Sequence, residues 1–210
     1  MSEVLRFDPQ RRTNAAMLAD AARLGLIDKT MVTLDATWGK GAWWSGWKPE
    51  RIIGLDLAPA KARDVRGDFT ELPFRSGAFD LVCFDPPYGY RGTSRHAMDE
   101  QYGLAEGYLS PVDRDALIIL GVFEAVRVAA RGGVVIVKVQ DQTVSGSPRM
   151  QSHTATSAAQ RIGCRLRSVL EVSGGVRPQR SQRTARNNTS QALVFTTPLR
   201  RKKSRRKDNS

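Results

Sequence analysis

The stretch FDLVCFDPPYGY, residues 79–90, joins an apolar run to an acid, two prolines and an aromatic residue. Its first six residues are mostly apolar, which is typical of a buried strand. Proline lacks the N–H that a strand ladder needs and its φ is fixed, so the strand must end at Asp85. The sequence therefore predicts a strand that leads into a stiff, exposed turn, and such rigidity indicates a functional segment.

Strand-like and helix-like segments alternate on both sides of this stretch. Helical spacing of apolar residues occurs in residues 13–27, 112–130 and 152–163, and strand-like runs occur at 31–35, 51–56, 64–68, 79–85, 132–141, 164–172 and 190–197. This alternation predicts an α/β fold, a doubly wound and mostly parallel sheet of seven strands with helices on both faces. The last two strands have no helix between them, so we expect them to form an antiparallel hairpin at the sheet edge.

The chain of 210 residues has room for one domain, which we expect to span residues 1–198. Its hydrophobic content of 40% is adequate for a core. Residues 89–111 show no clear period and are too many for an ordinary connection, so we interpret them as a substrate loop. Residues 199–210 are expected to form a basic, disordered tail.

Charge is the most unusual feature of the composition. The 33 basic and 21 acidic residues give a net charge of +12, which favours an anionic partner such as nucleic acid. Six arginines and one acid occur between Arg165 and Arg186, and seven of the nine residues in LRRKKSRRK (199–207) are basic. We interpret the tail as a phosphate-binding arm, with a solvated arm that promotes solubility as the alternative.

Several classes of protein are disfavoured by the sequence. It contains no apolar run close to the roughly 20 residues that cross a bilayer, and its first residues lack the apolar core of a signal peptide. Cys83 and Cys164 lie in apolar or mixed segments, so we expect reduced core thiols in a cytoplasmic protein. No cluster of metal ligands is evident, and we predict no metal.

The segment LDATWGKG, residues 34–41, follows another strand-like run. The strand is predicted to end at Asp35, with Gly39 and Gly41 at alternate positions before a new helix. Glycines there allow a tight bend and the close approach of a ligand. Open α/β sheets bind ligands beyond the carboxyl ends of their strands. A purely structural turn is the alternative interpretation.

Two further acids follow the next strands. Asp56, the last residue of GLD, is placed to accept hydrogen bonds from ribose hydroxyls. Asp68 in GDF is placed to accept a hydrogen bond from an adenine amino group, and Phe69 beside it is placed to pack on the adenine ring. Each acid is otherwise a turn or helix-cap residue. The glycine loop has Trp44 where a dinucleotide site has its last glycine, and no phosphate-binding G-K-[ST] follows. A ligand with a ribose and an adenine but no phosphate fits, and S-adenosylmethionine meets that description.

These four segments in this order resemble the class I S-adenosylmethionine-dependent methyltransferases, whose sheet is Rossmann-like. Within them they resemble the branch that methylates exocyclic amino groups of nucleobases, of the DNA adenine N6 methylase type. DPPY matches all four positions of that branch's [DNS]-P-P-[YFW] motif. The glycine loop matches D-P-F-x-G-S-G at Asp35, Gly39 and Gly41 but departs from it at Ala36, Thr37 and Lys40. The resemblance covers roughly residues 30–140.

The resemblance implies roles for the residues of both motifs. An aromatic amine is a poor nucleophile because its lone pair is delocalised into the ring. By resemblance, the Asp85 side chain and the Pro86 carbonyl hold the two amino hydrogens, Pro87 stiffens the turn, and Tyr88 stacks on the target base. The residues expected at the cofactor are Asp35, Thr37, Gly39, Gly41, Asp56, Asp68 and Phe69.

Substrate contacts are expected from basic and aromatic residues outside these motifs. The residues expected there are Arg91, Arg95, Tyr102, Arg180 and Arg183. The expected reaction is methylation of adenine N6 in DNA. The alternatives are base methylation of ribosomal or transfer RNA, a catalytically silent nucleic-acid-binding protein, and methylation of a protein glutamine. No segment is long enough for a large target-recognition domain.

Overall fold

A computed structural model describes residues 13–87, 111–144, 147–173 and 189–199 of the chain. Seven of its strands form one sheet in the order β3-β2-β1-β4-β5-β9-β8. Their bounds are β1 Thr33–Asp35, β2 Ile52–Asp56, β3 Val65–Arg66, β4 Phe79–Phe84, β5 Ala129–Val139, β8 Arg165–Ser173 and β9 Thr189–Thr196.

The direction of the strands confirms the predicted class of fold. The five strands β1 to β5 pair in parallel, and β9 is antiparallel to both of its neighbours, β5 and β8. The sheet is therefore mostly parallel with an antiparallel hairpin at one edge. A second, two-stranded hairpin of β6 (Gln142–Val144) and β7 (Ser147–Arg149) was not predicted.

The helices of the described residues are α1 (Asn14–Arg23), α2 (Pro111–Val128) and α3 (Gln151–Arg161). The first lies within a segment predicted to be helical, and the other two begin one residue before theirs. The Oγ of Thr13 accepts a hydrogen bond from the Ala16 N–H at 3.1 Å, which confirms the expected N-terminal cap of α1. Within the described ranges, none of the helices combines the length and the apolar content that a membrane crossing requires.

Helices cover both faces of the sheet, and the alternation of β4 shows how. Val82 and Phe84 belong to the apolar cluster that α2 and α3 cover, whereas Leu81 and Cys83 belong to the cluster that α1 covers. Successive side chains of a strand point to opposite faces, so one short strand contributes to both cores. Because β4 lies at the centre of the sheet and is buried on both sides, it is apolar at every position except the exposed Asp80 near its start.

The helix expected after Gly41 is not formed, and the prediction of a new helix there was wrong. The chain instead makes a three-residue 3-10 helix, Ala42–Trp44, whose two tryptophans are buried against α1. Ten residues separate Gly41 from β2 at Ile52, and one of them is Pro49. That length is at the lower limit for a connection with its own α-helix, and the proline restricts it further.

Both cysteines are free and buried, as expected for core thiols. Burial raises the pKa of the Cys164 thiol to about 11. Burial, with the nearby Asp35 and Asp85 carboxylates, raises the pKa of Cys83 well above its ordinary value. Neither thiol is therefore ionised near neutral pH.

Helix α2 approaches β4 most closely at Gly121. A Cβ at this position would overlap with the ring of Phe84. That ring is fully buried and packs against Phe69, with 5.0 Å between the ring centroids. The ring cannot move aside without displacing its neighbours. The glycine thus sets how tightly α2 lies on the strand that leads to Asp85.

We expect Gly121→Ala to destabilise the protein by about 1–3 kcal/mol because the added methyl overpacks the core. At an exposed helical position the same change stabilises by roughly 1 kcal/mol, so the sign is diagnostic. Urea denaturation measures the effect. Phe84→Leu serves as the matched background: with the ring removed, Gly121→Ala should lower the free energy of unfolding by less than it does in wild type. A higher midpoint for Gly121→Ala in the wild-type background would contradict the close contact.

Candidate active site

Three acids lie close together at the end of the sheet where the parallel strands have their carboxyl ends, which is called the carboxyl edge below. Asp35 and Asp56 are the last residues of β1 and β2, and Asp85 directly follows β4. These three strands are parallel neighbours, so their carboxyl ends lie side by side. The structure therefore brings together the acids that the sequence predicted for cofactor and substrate.

Asp56 ties the glycine loop to the end of β2. Its Oδ2 accepts a hydrogen bond from the Gly39 N–H at 2.8 Å, and its Oδ1 accepts from the Ala58 N–H at 2.9 Å. A carboxylate held by two backbone donors has a fixed orientation and retains lone pairs for further donors. Asp56 can therefore accept hydrogen bonds from hydroxyl groups of a ligand without a change in the orientation of its carboxylate.

The two glycines of the loop have different surroundings. Gly39 has φ +57°, and a Cβ there would meet the Thr37 carbonyl oxygen alone, at 3.9 Å. Gly41 has φ +66°, and a Cβ there would lie 2.7 Å from the Trp38 indole. Gly41 is thus needed for packing within the loop, whereas Gly39 has the open surroundings that the close approach of a ligand requires.

Trp38 covers the part of the sheet that a longer helix would otherwise cover. A Cβ at Gly54 would overlap with its ring, and the Arg63 guanidinium lies over the ring at 5.0 Å from its centroid. The backbone N–H of Trp38 also donates a hydrogen bond to the Leu55 carbonyl at 2.8 Å. These contacts fix the loop against β2.

Asp35 is the most deeply buried of the three acids. Its Oδ2 accepts from the Trp44 indole N–H at 2.7 Å and its Oδ1 accepts from the Thr37 N–H at 3.0 Å. Burial, with a smaller contribution from the negative charges of Asp85 and Asp56, raises the pKa of Asp35 to about 7 although the two donors act to lower it. The carboxyl group therefore changes charge near neutral pH.

Asp85 is held by hydrogen bonds to residues of three segments, two of which donate to its carboxylate and one of which accepts from its backbone. Its Oδ2 accepts from the Trp43 indole N–H at 3.2 Å, and Lys138 Nζ lies 3.3 Å from Oδ2 and 3.4 Å from Oδ1. The Asp85 N–H donates to Thr37 Oγ1 at 2.8 Å. Thr37 thus joins the glycine loop to the turn after β4, so the predicted cofactor and substrate sites share one hydrogen-bonded framework.

Pro86 is buried and Asp85 and Pro87 are half-buried, so the turn after β4 is not exposed as predicted. The Pro87 carbonyl accepts a hydrogen bond from Arg114 Nη1 at 3.1 Å, and Arg114 is a buried residue of α2. The stiff turn is therefore held at its far end by a charged donor as well as by its own proline rings. Tyr88 lies outside the described residues.

Asp68 and Phe69 follow β3 at the same edge of the sheet, and both have local partners. Asp68 is exposed, and its Oδ1 accepts from the Thr70 N–H and Oγ1, each at 2.7 Å, as in an Asx turn. Phe69 packs against Phe84. These contacts account for both residues structurally, and their roles at an adenine ring stay predictions.

The predicted substrate residues Arg91, Arg95, Tyr102, Arg180 and Arg183 lie outside the described residues. The described residues that flank them are informative. The described residues on either side of segment 88–110 are Pro87 and Pro111. Both lie at the carboxyl edge of the parallel strands. Ser173 pairs with Thr189 at the same edge, since Val139 pairs with Gln191.

Sequence reasoning missed four residues of the site, Lys138, Trp43, Trp44 and Arg114. Lys138 carries a signal, because a lysine inside the apolar run VVIVKV is unusual unless it is paired. The tryptophans of WGKGAWWSGW suit either packing or a cover over the cofactor by their sequence, and nothing in the sequence indicates that the indole N–H groups donate to the acids. Within the described ranges, histidines, cysteines and acids do not converge in groups of three or more that could hold a metal.

Comparison with solved structures identifies the fold. TrmN from Thermus thermophilus superposes with a TM-score of 0.55 at 18% identity, over 88% of this chain and 48% of TrmN. A proposed methyltransferase from Bacillus halodurans C-125 gives 0.55 at 12% identity, over 87% of this chain and 99% of that one. The [4+2]-cyclase SpnF gives 0.54 at 11% identity, over 92% and 89%. No protein-family profile and no curated protein matches the sequence.

The chain therefore has the fold of the S-adenosylmethionine-dependent class I methyltransferases. The chain spans about half the length of TrmN. A cyclase shares the fold, so the reaction has to be argued from the residues of the site.

We expect the stability of the protein to fall as the pH rises from about 4 to about 7, because of Asp35. An acid whose pKa is higher in the folded state than the ordinary 3.8 stabilises the fold below pH 4, and this contribution is lost as the pH passes 7. The loss amounts to about 2–4 kcal/mol. Urea denaturation at pH 5 and pH 8 measures it.

In Asp35→Asn the difference between the two pH values should shrink by that amount. Asp80→Asn removes an exposed carboxylate at the opposite end of β4 and serves as the matched control. An equal pH dependence in wild type and Asp35→Asn would contradict the assignment.

Proposed function

We propose that the protein is an S-adenosylmethionine-dependent methyltransferase that modifies the exocyclic amino group of a nucleobase, with adenine N6 in DNA as the favoured target. The observation that carries the proposal is the position of Asp85. Its carboxylate lies at the carboxyl end of the central strand, on a turn stiffened by two prolines, and Thr37 links it to the predicted cofactor loop.

The charge of the site fits the cofactor. Asp35, Asp56 and Asp85 cluster at one edge of the sheet in a protein whose net charge is +12. Such a cluster attracts cations, and S-adenosylmethionine carries a sulfonium and an ammonium. Asp56 would accept the ribose hydroxyls beside the open space at Gly39, Asp68 and Phe69 would contact the adenine, and Asp35 would lie near the cationic end. When bound, the cofactor supplies an electrophilic methyl group.

The chain's own residues would prepare the acceptor. The Asp85 carboxylate and the Pro86 carbonyl would accept the two amino hydrogens, which favours a pyramidal nitrogen with an available lone pair. Both acceptors are held before substrate arrives, by Trp43, Thr37 and Arg114, so little reorganisation accompanies the reaction. Tyr88 would stack on the base. The base must be flipped out of a duplex or already single-stranded.

Nucleic acid is the substrate class that the charge favours. The two segments with the predicted substrate residues, 88–110 and 174–188, both leave and rejoin the described fold at the edge that holds Asp85. Arginines there would bind phosphates and orient the strand without reading its sequence. DNA is favoured over RNA by the resemblance of DPPY to adenine methylases, and base methylation of RNA is the alternative.

One observation favours a second candidate, a catalytically silent nucleic-acid-binding protein. Lys138 already donates to the Asp85 carboxylate, the acceptor that a target amine would also use. A former active site in which Lys138 permanently occupies the Asp85 carboxylate would show the same contact. Turnover separates the two candidates, since only the enzyme transfers a methyl group.

Tritium-labelled S-adenosylmethionine tests the proposal with DNA, unmodified RNA and no nucleic acid as acceptors. We expect label in DNA, recovered as N6-methyladenine after digestion to nucleosides. Asp85→Ala should reduce incorporation by about 100-fold or more, because it removes a preorganised acceptor. Asp80→Ala, at the opposite edge, is the matched control. Cofactor binding without label in any acceptor would reject the enzyme and support the silent binder.

We expect Arg180→Gln combined with Arg183→Gln to weaken the binding of DNA and to reduce the slope of log affinity against log salt by about 2, because two phosphate contacts are lost. Fluorescence anisotropy with a labelled oligonucleotide at several salt concentrations measures both effects. Arg51→Gln combined with Arg75→Gln removes the same charge from the opposite edge of the sheet. An equal loss in both pairs would show that net charge, not these two positions, determines affinity.

A further inference from the structure

Lys138 is a part of the site that the proposed reaction does not use. It lies in the apolar strand β5, and its side chain is 6% exposed beside an Asp85 side chain that is 11% exposed. Its Nζ lies at nearly equal distances, 3.3 and 3.4 Å, from the two oxygens of Asp85. A buried charge is expensive unless it is paired, so each residue stabilises the other in the charged form.

The register of the sheet builds this contact. Cys83 pairs with Ile136 and Phe84 pairs with Val137, so the next positions along the two parallel strands are Asp85 and Lys138. Cys83 and Ile136 belong to the same apolar cluster, on the face covered by α1, and Asp85 and Lys138 follow them with the same alternation. The pair is therefore set by the strand pairing and not by flexible surface side chains.

A comparison of Asp85 with Asp35 shows what the lysine adds. Both carboxyl groups accept a hydrogen bond from a tryptophan indole, Trp43 in one case and Trp44 in the other. Asp85 also has an ammonium group against both of its oxygens. A protonated carboxyl group would point a donor at the target amine, whereas an ionised one offers acceptors alone. The ammonium group also offsets part of the negative charge that Asp85 and its neighbour Asp35 bring to this end of the sheet.

We propose that Lys138 is the positioning residue of the reaction: it fixes the plane of the Asp85 carboxylate through both oxygens and offsets its charge, so that the acceptors for the target amino group are oriented before the amine arrives. This inference rests on the proposed function. Lys138 itself transfers no proton and touches neither the base nor the methyl group. The lysine approaches the carboxylate from β5, so the target amine has to approach from the side of the turn.

The test compares Lys138→Met, which removes the charge at similar length, with Lys138→Arg, which keeps it. Single-turnover methyl transfer and the affinity for S-adenosylhomocysteine are measured for each variant. We expect Lys138→Met to slow transfer by about 100-fold while the affinity stays within about threefold, and Lys138→Arg to stay within about tenfold of wild type in transfer. A lysine that merely supports the fold would not separate the two readouts in this way.

Three results would overturn the inference: transfer by Lys138→Met at the wild-type rate, an equal loss in Lys138→Arg, or a parallel loss of S-adenosylhomocysteine affinity. Should Lys138→Met not fold, Lys138→Gln takes its place. A wild-type protein that labels no acceptor would reject the proposed function, and the role of Lys138 in catalysis with it.

A second measurement is independent of turnover. In a double-mutant cycle, Lys138→Met should increase the unfolding constant by a smaller factor in the Asp85→Asn background than in wild type, because no unpaired carboxylate is left behind. Equal factors in the two backgrounds would show that the residues are not coupled and would overturn the inference even if Lys138→Met were slow. Coupling in a protein that transfers nothing would locate the failure in the proposed function.

Discussion

The burial of three carboxylates at one edge of the sheet is the constraint that shapes the rest of the site. Like charges placed close together in a region of low dielectric have to be offset by donors or lose their charge. The backbone of the glycine loop bends to supply donors to Asp35 and Asp56, two indoles supply one each to Asp35 and Asp85, and β5 supplies an ammonium. The 3-10 helix that replaces an α-helix here is what places both indoles.

Much of this arrangement could be predicted from local sequence. Alternation and proline fix where β4 ends, and the carboxyl ends of parallel strands meet, so Asp35, Asp56 and Asp85 could be placed together. What escaped prediction depends on distant residues. The contact of Lys138 with Asp85 follows from the register between β4 and β5, and the burial of Trp43 and Trp44 against α1 follows from the packing of segments that are distant in sequence. Asp68 shows the limit of a motif, because its local turn explains its carboxylate without a ligand.

The fold and the reaction are separate conclusions. Methyltransferases and a cyclase share this architecture at similar TM-scores, so the sheet supplies a place for chemistry without specifying it. The residues at the edge are more informative. Acids gather there although the chain as a whole carries a net charge of +12, so the site differs in charge from the composition of the chain.

The two cysteines have a practical consequence. The chain has two, and both are buried with a raised pKa, so neither offers a thiolate to a maleimide at neutral pH. The native sequence is therefore a silent background for labelling. One cysteine introduced by mutagenesis between Pro87 and Pro111 would take up a fluorophore or a spin label selectively, and that part of the chain could be followed while a nucleic acid binds.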